Sequence, residues 1–196
     1  MNKAQELFDK VKPAWDKYEI PDDYKQMPER GQRDVLDKEN WGYYQFLPCL
    51  IDTTKPFQVI ELGGAMGVAA VMMAAAHHKP QIYSITLQEH GLEFSFIKKE
   101  YPHLHKIVGD DLVLNNWPAG IDLHKTDIWF LDSLHEYSQI KKEYELYKPF
   151  WKKGTIILLD DIKINAGMWQ AWLEWEGDKY DASILHVPSG FGIVVW

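Results

Sequence analysis

The sequence predicts an α/β fold: a mostly parallel sheet of seven strands with helices on both faces and an antiparallel hairpin at its carboxyl end. Three observations carry this expectation. From Phe57 onward, short apolar runs alternate with longer amphipathic ones, the pattern of β-α-β crossovers. A glycine turn, ELGGAMG, joins the first apolar run to the first helical one. The last two runs are separated only by residues 186–190, whereas a parallel crossover needs a dozen or more residues, so they must pair as a hairpin.

The runs expected as strands are FQVIEL (57–62), QIYSIT (81–86), HKIVGD (105–110), DIWFLD (127–132), TIILLD (155–160), YDASIL (180–185) and FGIVVW (191–196). Helices are expected over 68–76, 92–101, 136–151 and 168–175. Residues 41–51 have apolar residues at helical spacing, with Pro48 set to kink or end that helix. Residues 1–40 are polar, carry Pro13, Pro21 and Pro28 and show weak periodicity. They read as an amino-terminal appendage or lid on a domain of residues 41–196.

A chain of 196 residues that is 46% apolar can bury a core without a metal or disulfide staple. Its 29 acidic against 21 basic residues, net charge -8, argue against a phosphate-backbone binder, so no nucleic-acid partner is expected. The longest apolar run, 68–76, is far short of the roughly 20 residues that cross a bilayer, and the start lacks a secretory core. A cytoplasmic protein without a membrane partner is expected. The lone Cys49, in FLPCLI, reads as packing.

Ligands of parallel sheets bind where strands stop, and here several strands stop at acids: Glu61, Asp110, Asp132 and Asp160. In the turn, Gly63, Gly64 and Gly67 leave room for a ligand to approach the backbone. A dinucleotide fingerprint needs G-x-G-x-x-G, but Ala65 and Val68 occupy its later glycine positions, so a nicotinamide oxidoreductase is disfavoured. No GK[ST] follows, which excludes a P-loop. The remaining pattern, E-x-G-x-x-x-G, sets a carboxylate where a pyrophosphate would be repelled and an ammonium or sulfonium ligand attracted. A turn that only permits tight packing is the plainer alternative.

ELGGAMGVAAV resembles the first motif of class I S-adenosylmethionine-dependent methyltransferases, closest to the catechol and caffeoyl-CoA O-methyltransferase group, and residues 127–162 resemble that family's fourth strand, helix and fifth strand. The resemblance covers residues 59–196 and implies a Rossmann-like domain that transfers a methyl group to a small-molecule hydroxyl. It places Glu61, Gly63, Gly64 and Gly67 about the methionine end of the cofactor and Asp110 and Asp111 beside the adenine. The acid that the family uses to hold the ribose is replaced by Thr86, with Gln88 or Glu89 within reach of the same place.

Asp132 and Asp160 end strands expected to be neighbours, about 4.8 Å apart, and Asp161 follows in the turn. Three carboxylates so placed call for a cation, and an all-oxygen set suits Mg²⁺ or Ca²⁺. The family's pattern is Asp, then Asp-Asn, so Asp161 departs from it. As an alternative, Asp160 and Asp161 could cap the following helix or form a solvated turn. His135 occupies the slot of the family's catalytic lysine and is the candidate base, with Lys163 second. Tyr137 and the stripe Trp169, Trp172, Trp175 could wall the acceptor pocket, although such a stripe more often packs the core. The competing function is an S-adenosylmethionine-binding domain without transferase activity that holds a structural or regulatory ion. The hairpin at the sheet edge offers a homodimer surface.

Overall fold

A strand covered on both faces is mostly apolar, and the runs around 58–62, 128–131 and 156–160 meet this condition, with Gln58, Glu61 and Asp160 as their polar members. In the computed structural model, which describes residues 2–21, 29–88 and 101–196 (for 29–32 the backbone alone), they form β1 (Gln58–Leu62), β4 (Ile128–Leu131) and β5 (Ile156–Asp160), buried at every residue. With β2 (Gln81–Thr86), β3 (Leu104–Val108), β6 (Asp178–Asp181) and β7 (Phe191–Val195) they make one seven-stranded sheet in the order β3-β2-β1-β4-β5-β7-β6. β7 is the reversed strand: it runs antiparallel to both β5 and β6, while the pairs among β1 to β5 are parallel. The chain leaves β1 toward β2 and β3, then returns on the other side to β4. This switch opens a crevice at the carboxyl ends of β1 and β4.

Helices cover both faces. α1 (Lys3–Asp16), α4 (Tyr43–Thr54) and α5 (Val68–Ala74) pack on one through Phe8, Phe46 and Met72 against Val59 and Phe130. α6 (Tyr137–Tyr147) and α7 (Ala166–Glu174) pack on the other through Tyr147 and Trp172 against Ile60 and Trp129. Two short helices, α2 (Glu29–Leu36) and α3 (Lys38–Trp41), precede α4. Burying roughly 25 cal/mol per Å² of apolar surface on two faces of one sheet is what holds this arrangement. No helix among the described residues is long and apolar enough to cross a membrane.

Several boundaries differ from expectation. Pro48 lies inside α4, which continues to Thr54, because the buried face from Tyr43 to Ile51 outweighs the one lost backbone bond. β6 spans Asp178–Asp181 and not 180–185, since Ser183–Leu185 forms a 3-10 turn that buries Leu185. α6 stops at Tyr147, where a 3-10 turn with Pro149 takes over. The helix expected over 92–101 falls, save for Tyr101, outside the described residues, as does Glu89.

The first helix also changes the expected division of the chain. α1 buries Ala4, Phe8, Val11 and Trp15, one helical face, in the core shared with α4. The Phe8 ring lies 4.9 Å from that of Tyr180, and Trp15 Nε1 donates to Gly42 O at 2.9 Å. This stretch of the expected appendage is therefore part of the domain. α1 also lies along β6, where Asn2 Nδ2 donates to Lys179 O at 2.7 Å, so the chain's own helix meets the edge expected to serve a dimer.

Candidate active site

At the end of β1 the chain must turn sharply under the neighbouring strand end, and glycine is what the space allows. Gly63 has φ +87°, and a Cβ there would meet Asp132 O at 2.0 Å. A Cβ on Gly64 would meet Ser84 Oγ at 2.0 Å and Glu61 Oε2 at 3.1 Å. Beneath this turn Glu61 is fully buried and accepts a short hydrogen bond from Ser84 Oγ. Burial pushes its carboxyl up to about 7, against the opposing pull of the Ser84 bond, so an approaching cation would strongly favour its ionised form.

The turn opens onto a cleft of about 490 Å³, a size suited to a nucleoside-bearing ligand. Of the residues expected to hold the cofactor, Gly63, Thr86, Gln88, Asp110 and Asp111 line it, and Glu61, Gly64 and Gly67 do not. Thr86 and Gln88, expected in place of a ribose-binding acid, both lie on this cleft. Across the cleft, Ser133 and Gln139 join the lining, although neither was singled out in the sequence. They belong to a buried polar wall: Gln139 Nε2 donates to Asp111 Oδ1 at 3.2 Å and to Glu143 Oε1 at 2.8 Å, and Ser133 Oγ donates to Glu143 Oε1.

Asp132 lines the cleft and also belongs to the second feature, a cluster of acids and histidines at the ends of β4 and β5. His135 stands between two aspartates, its Nε2 3.3 Å from Asp132 Oδ1 and its Nδ1 3.2 Å from Asp161 Oδ2. His186 is buried, its Nδ1 2.8 Å from Asp160 Oδ1 and 3.5 Å from Asp161 Oδ1. Ser189 Oγ donates to Asp161 and lies 3.3 Å from His186 Nε2. Burial, then Asp160 beside it, holds the Asp132 carboxyl well above the usual carboxylate range. Burial also raises that of Asp160, against the hydrogen bond from His186. Asp161 is in the left-handed region with φ 57°, a strained placement that aims its carboxylate back at both histidines.

The convergence of Asp132, Asp160 and Asp161 was expected; its partition was not. Asp132 and Asp160 share one group of mutually close ligand atoms with His135, and Asp160 and Asp161 share another with His186, each within 4.8 Å. The donor set is thus mixed oxygen and nitrogen in place of the all-oxygen set. His186 was missed because it lies in the hairpin turn, 26 residues beyond Asp160. Its ring packs 4.5 Å from that of Trp41 and 5.2 Å from that of Tyr43, so the segment before β1 walls the cluster.

Lys163 is not brought into this cluster. Its Nζ pairs with Asp181 at 2.6 Å and sits 5.7 Å over the Trp169 ring. Trp172 and Trp175 are core residues, whereas Trp169 is 37% exposed. Tyr137 OH donates to Glu174 at 2.8 Å on the surface. Cys49 is buried in the α4 core, which pushes its thiol up to about 11 and suits packing.

Known proteins bear on this arrangement in three ways. The model of a family described as a methyltransferase domain matches residues 60–162, from the strand before the glycine turn through the acidic pair. No curated protein sequence matches the chain. Among solved structures, the O-methyltransferase TomG from Streptomyces achromogenes, in complex with S-adenosylmethionine, is similar with a TM-score of 0.64 at 12% identity, covering 100% of this chain and 99% of its own. The methyltransferase PaMTH1 from Podospora anserina, bound to S-adenosylhomocysteine, has a TM-score of 0.62 at 16% identity over 98% of this chain and 96% of its own. CalS11, a TDP-rhamnose 3'-O-methyltransferase of calicheamicin biosynthesis, has a TM-score of 0.59 at 15% identity over 100% and 95%. At such identities the structures establish a shared fold, and the family model establishes membership. The chain belongs to the methyltransferase domain family, as a class I S-adenosylmethionine-dependent methyltransferase.

Proposed function

We propose that the protein transfers a methyl group from S-adenosylmethionine to a hydroxyl of a small molecule, assisted by a divalent cation at the acid-histidine cluster. The observation that carries this reading is the position of Asp132, which lines the cleft with one side of its environment and belongs to the cluster with the other. Cofactor and acceptor would thus meet at one carboxylate.

In this reading the glycine turn receives the methionine end of the cofactor, with Glu61 behind it as the balancing charge. Thr86 and Gln88 hold the ribose through hydroxyl and amide groups, and Asp110 and Asp111 face the adenine. When bound, S-adenosylmethionine supplies an electrophilic methyl on a sulfonium and departs as a neutral thioether. The residues fit a cation: Asp132 and Asp160 are crowded carboxylates whose ionised forms are opposed by burial and by neighbouring acids. A divalent ion held there by Asp132 and Asp160 supplies positive charge that favours the deprotonated acceptor.

The chain's own part is positioning and proton handling. Asp161 Oδ2, opposite His135 Nδ1, fixes the ring so that Nε2 faces the Asp132 side and can take the acceptor's proton. His186 and Ser189 hold Asp160 and Asp161 in place from the buried side. Lys163, engaged by Asp181, takes no part. Residues around α3 and the start of α4 close the cluster on its other side, where the acceptor would dock.

The test is direct. Calorimetric titration with S-adenosylmethionine should show binding, and labelled methyl should pass to one member of a panel of catechols, hydroxy acids and sugars in Mg²⁺ or Mn²⁺. EDTA should suppress that transfer; equal turnover with and without chelator would remove the cation from the reading. Absence of S-adenosylmethionine binding would remove the reading itself.

A further inference from the structure

Glu143 lies on α6 with its carboxyl wholly buried, a placement carboxylates rarely tolerate without a counter-charge. No Lys, Arg or His is among the described groups that act on it; it faces Asp111, Ser133 and Gln139. Ser133 Oγ and Gln139 Nε2 both donate to Oε1. Oε2 is buried and meets no donor, a setting that favours a proton on that oxygen over a bare charge. The group within its reach is Asp111, whose own carboxyl also takes the Gln139 amide at 3.2 Å and lines the cleft. The two carboxyls act on one another across Gln139, whose Nε2 donates to both.

We propose that Glu143 is a positioning residue for the nucleoside end of the cofactor: its carboxyl donates to Asp111 and holds that carboxylate toward the cleft as the acceptor for an adenine amino group. This rests on the reading that the adenine lies beside Asp110 and Asp111. The donated bond does two things. It satisfies one oxygen of Asp111, leaving the other to the ligand, and it lets two acids touch with a single negative charge between them. Gln139 bridges both carboxyls and fixes their spacing, and Tyr147 OH, donating to Asp111 O, anchors the backbone of the same residue.

Burial raises the Glu143 carboxyl to about 8, with Asp111 next in effect and the Ser133 and Gln139 bonds opposing. The groups facing the pair from every packed element are Asp110 beside Asp111, Ser133 after β4, and Gln139 and Tyr147 on α6. Below pH 8 Glu143 donates; above it two carboxylates face one another and Asp111 loses its fixed position.

The test compares the wild type, E143Q and E143L by calorimetry with S-adenosylmethionine at pH 7. It is then repeated with 5'-methylthioadenosine from pH 6.5 to 9, a probe that lacks the titrating amino-acid end. The glutamine amide can both accept from Ser133 and donate to Asp111, so E143Q should bind within about twofold of wild type, and E143L about tenfold more weakly. The wild type should lose affinity for 5'-methylthioadenosine as pH rises through about 8, while E143Q stays flat. If E143L fails to fold, the pH comparison between wild type and E143Q still decides. Matching pH profiles in those two, or full affinity in E143L, would overturn the proposal while leaving the cofactor reading intact. A wild type that binds no S-adenosylmethionine would instead take down that reading and this proposal together.

Discussion

Two sets of buried acids flank the cleft, and they are kept in the fold by different means. On the side proposed for the adenine, Asp111 and Glu143 meet hydroxyl and amide groups. On the side proposed for the acceptor, Asp132, Asp160 and Asp161 meet two imidazoles. Two acids that share a proton carry one negative charge and form a hydrogen-bonding device that holds one geometry. Carboxylates interleaved with imidazoles can exchange a proton or admit a cation, because a carboxylate oxygen and an imidazole nitrogen each bind either one. The first arrangement suits recognition and the second suits chemistry. Asp132 stands at the border between them.

The comparison breaks most visibly at that border. Asp132→Ala should lower methyl-transfer turnover by about a hundredfold or more while S-adenosylmethionine affinity, measured by calorimetry, changes by less than about fivefold. The leucine variant of Glu143 should show the reverse pattern, weaker cofactor binding with less effect at saturation. Equal loss of binding in both would mean that the two acid sets are one network.

The next effect is on stability and separates the two histidines. His186 is 1% exposed and is the partner of buried Asp160, so His186→Ala leaves an uncompensated acid and should destabilise the protein by about 3 kcal/mol. His135 is 27% exposed, and His135→Ala should cost less than about 1 kcal/mol even as it lowers turnover. Urea unfolding measures both. Equal losses would show that His135 has a structural duty which its exposure does not suggest.

How much of this was legible depends on the physics of each part. The central strands were, because burial on both faces forces continuous apolar runs. β6 was not, because Asp178–Asp181 is a half-buried edge strand of polar residues, and the apolar letters after it belong to a turn. α1 hid for a similar reason: Ala4, Phe8, Val11 and Trp15 are spread among Lys, Glu and Asp, and Pro13 interrupts them, yet packing overrides that local signal. In the site, acids at strand ends were visible because topology brings strand ends together. His186 reaches Asp160 only because β7 inserts between β5 and β6, a choice of strand order that spacing does not encode. Glu143, in the middle of an amphipathic helix rich in charge, reads as solvated face until Asp111 is seen opposite.

The smallest effect tests the proton-sharing side alone, through the pH dependence of stability in the protein free of ligands. Glu61 and Glu143 have folded values raised to about 7 and about 8, against roughly 4.3 in an unfolded chain. Groups raised in this way contribute stability that is complete below about pH 4.3 and is lost as pH climbs through the folded values, because the native state holds protons that the unfolded chain has released. The unfolding free energy should therefore fall from about pH 5 to about pH 8, each group adding at most roughly 1.4 kcal/mol per pH unit. E143Q removes one of those protons, so its curve should fall less steeply than that of the wild type between about pH 5 and pH 8, while buried Asp132 and Asp160 act on both curves alike. Parallel wild-type and E143Q curves would show that Glu143 is ionised in the native state, and with it the distinction between the two acid sets would disappear.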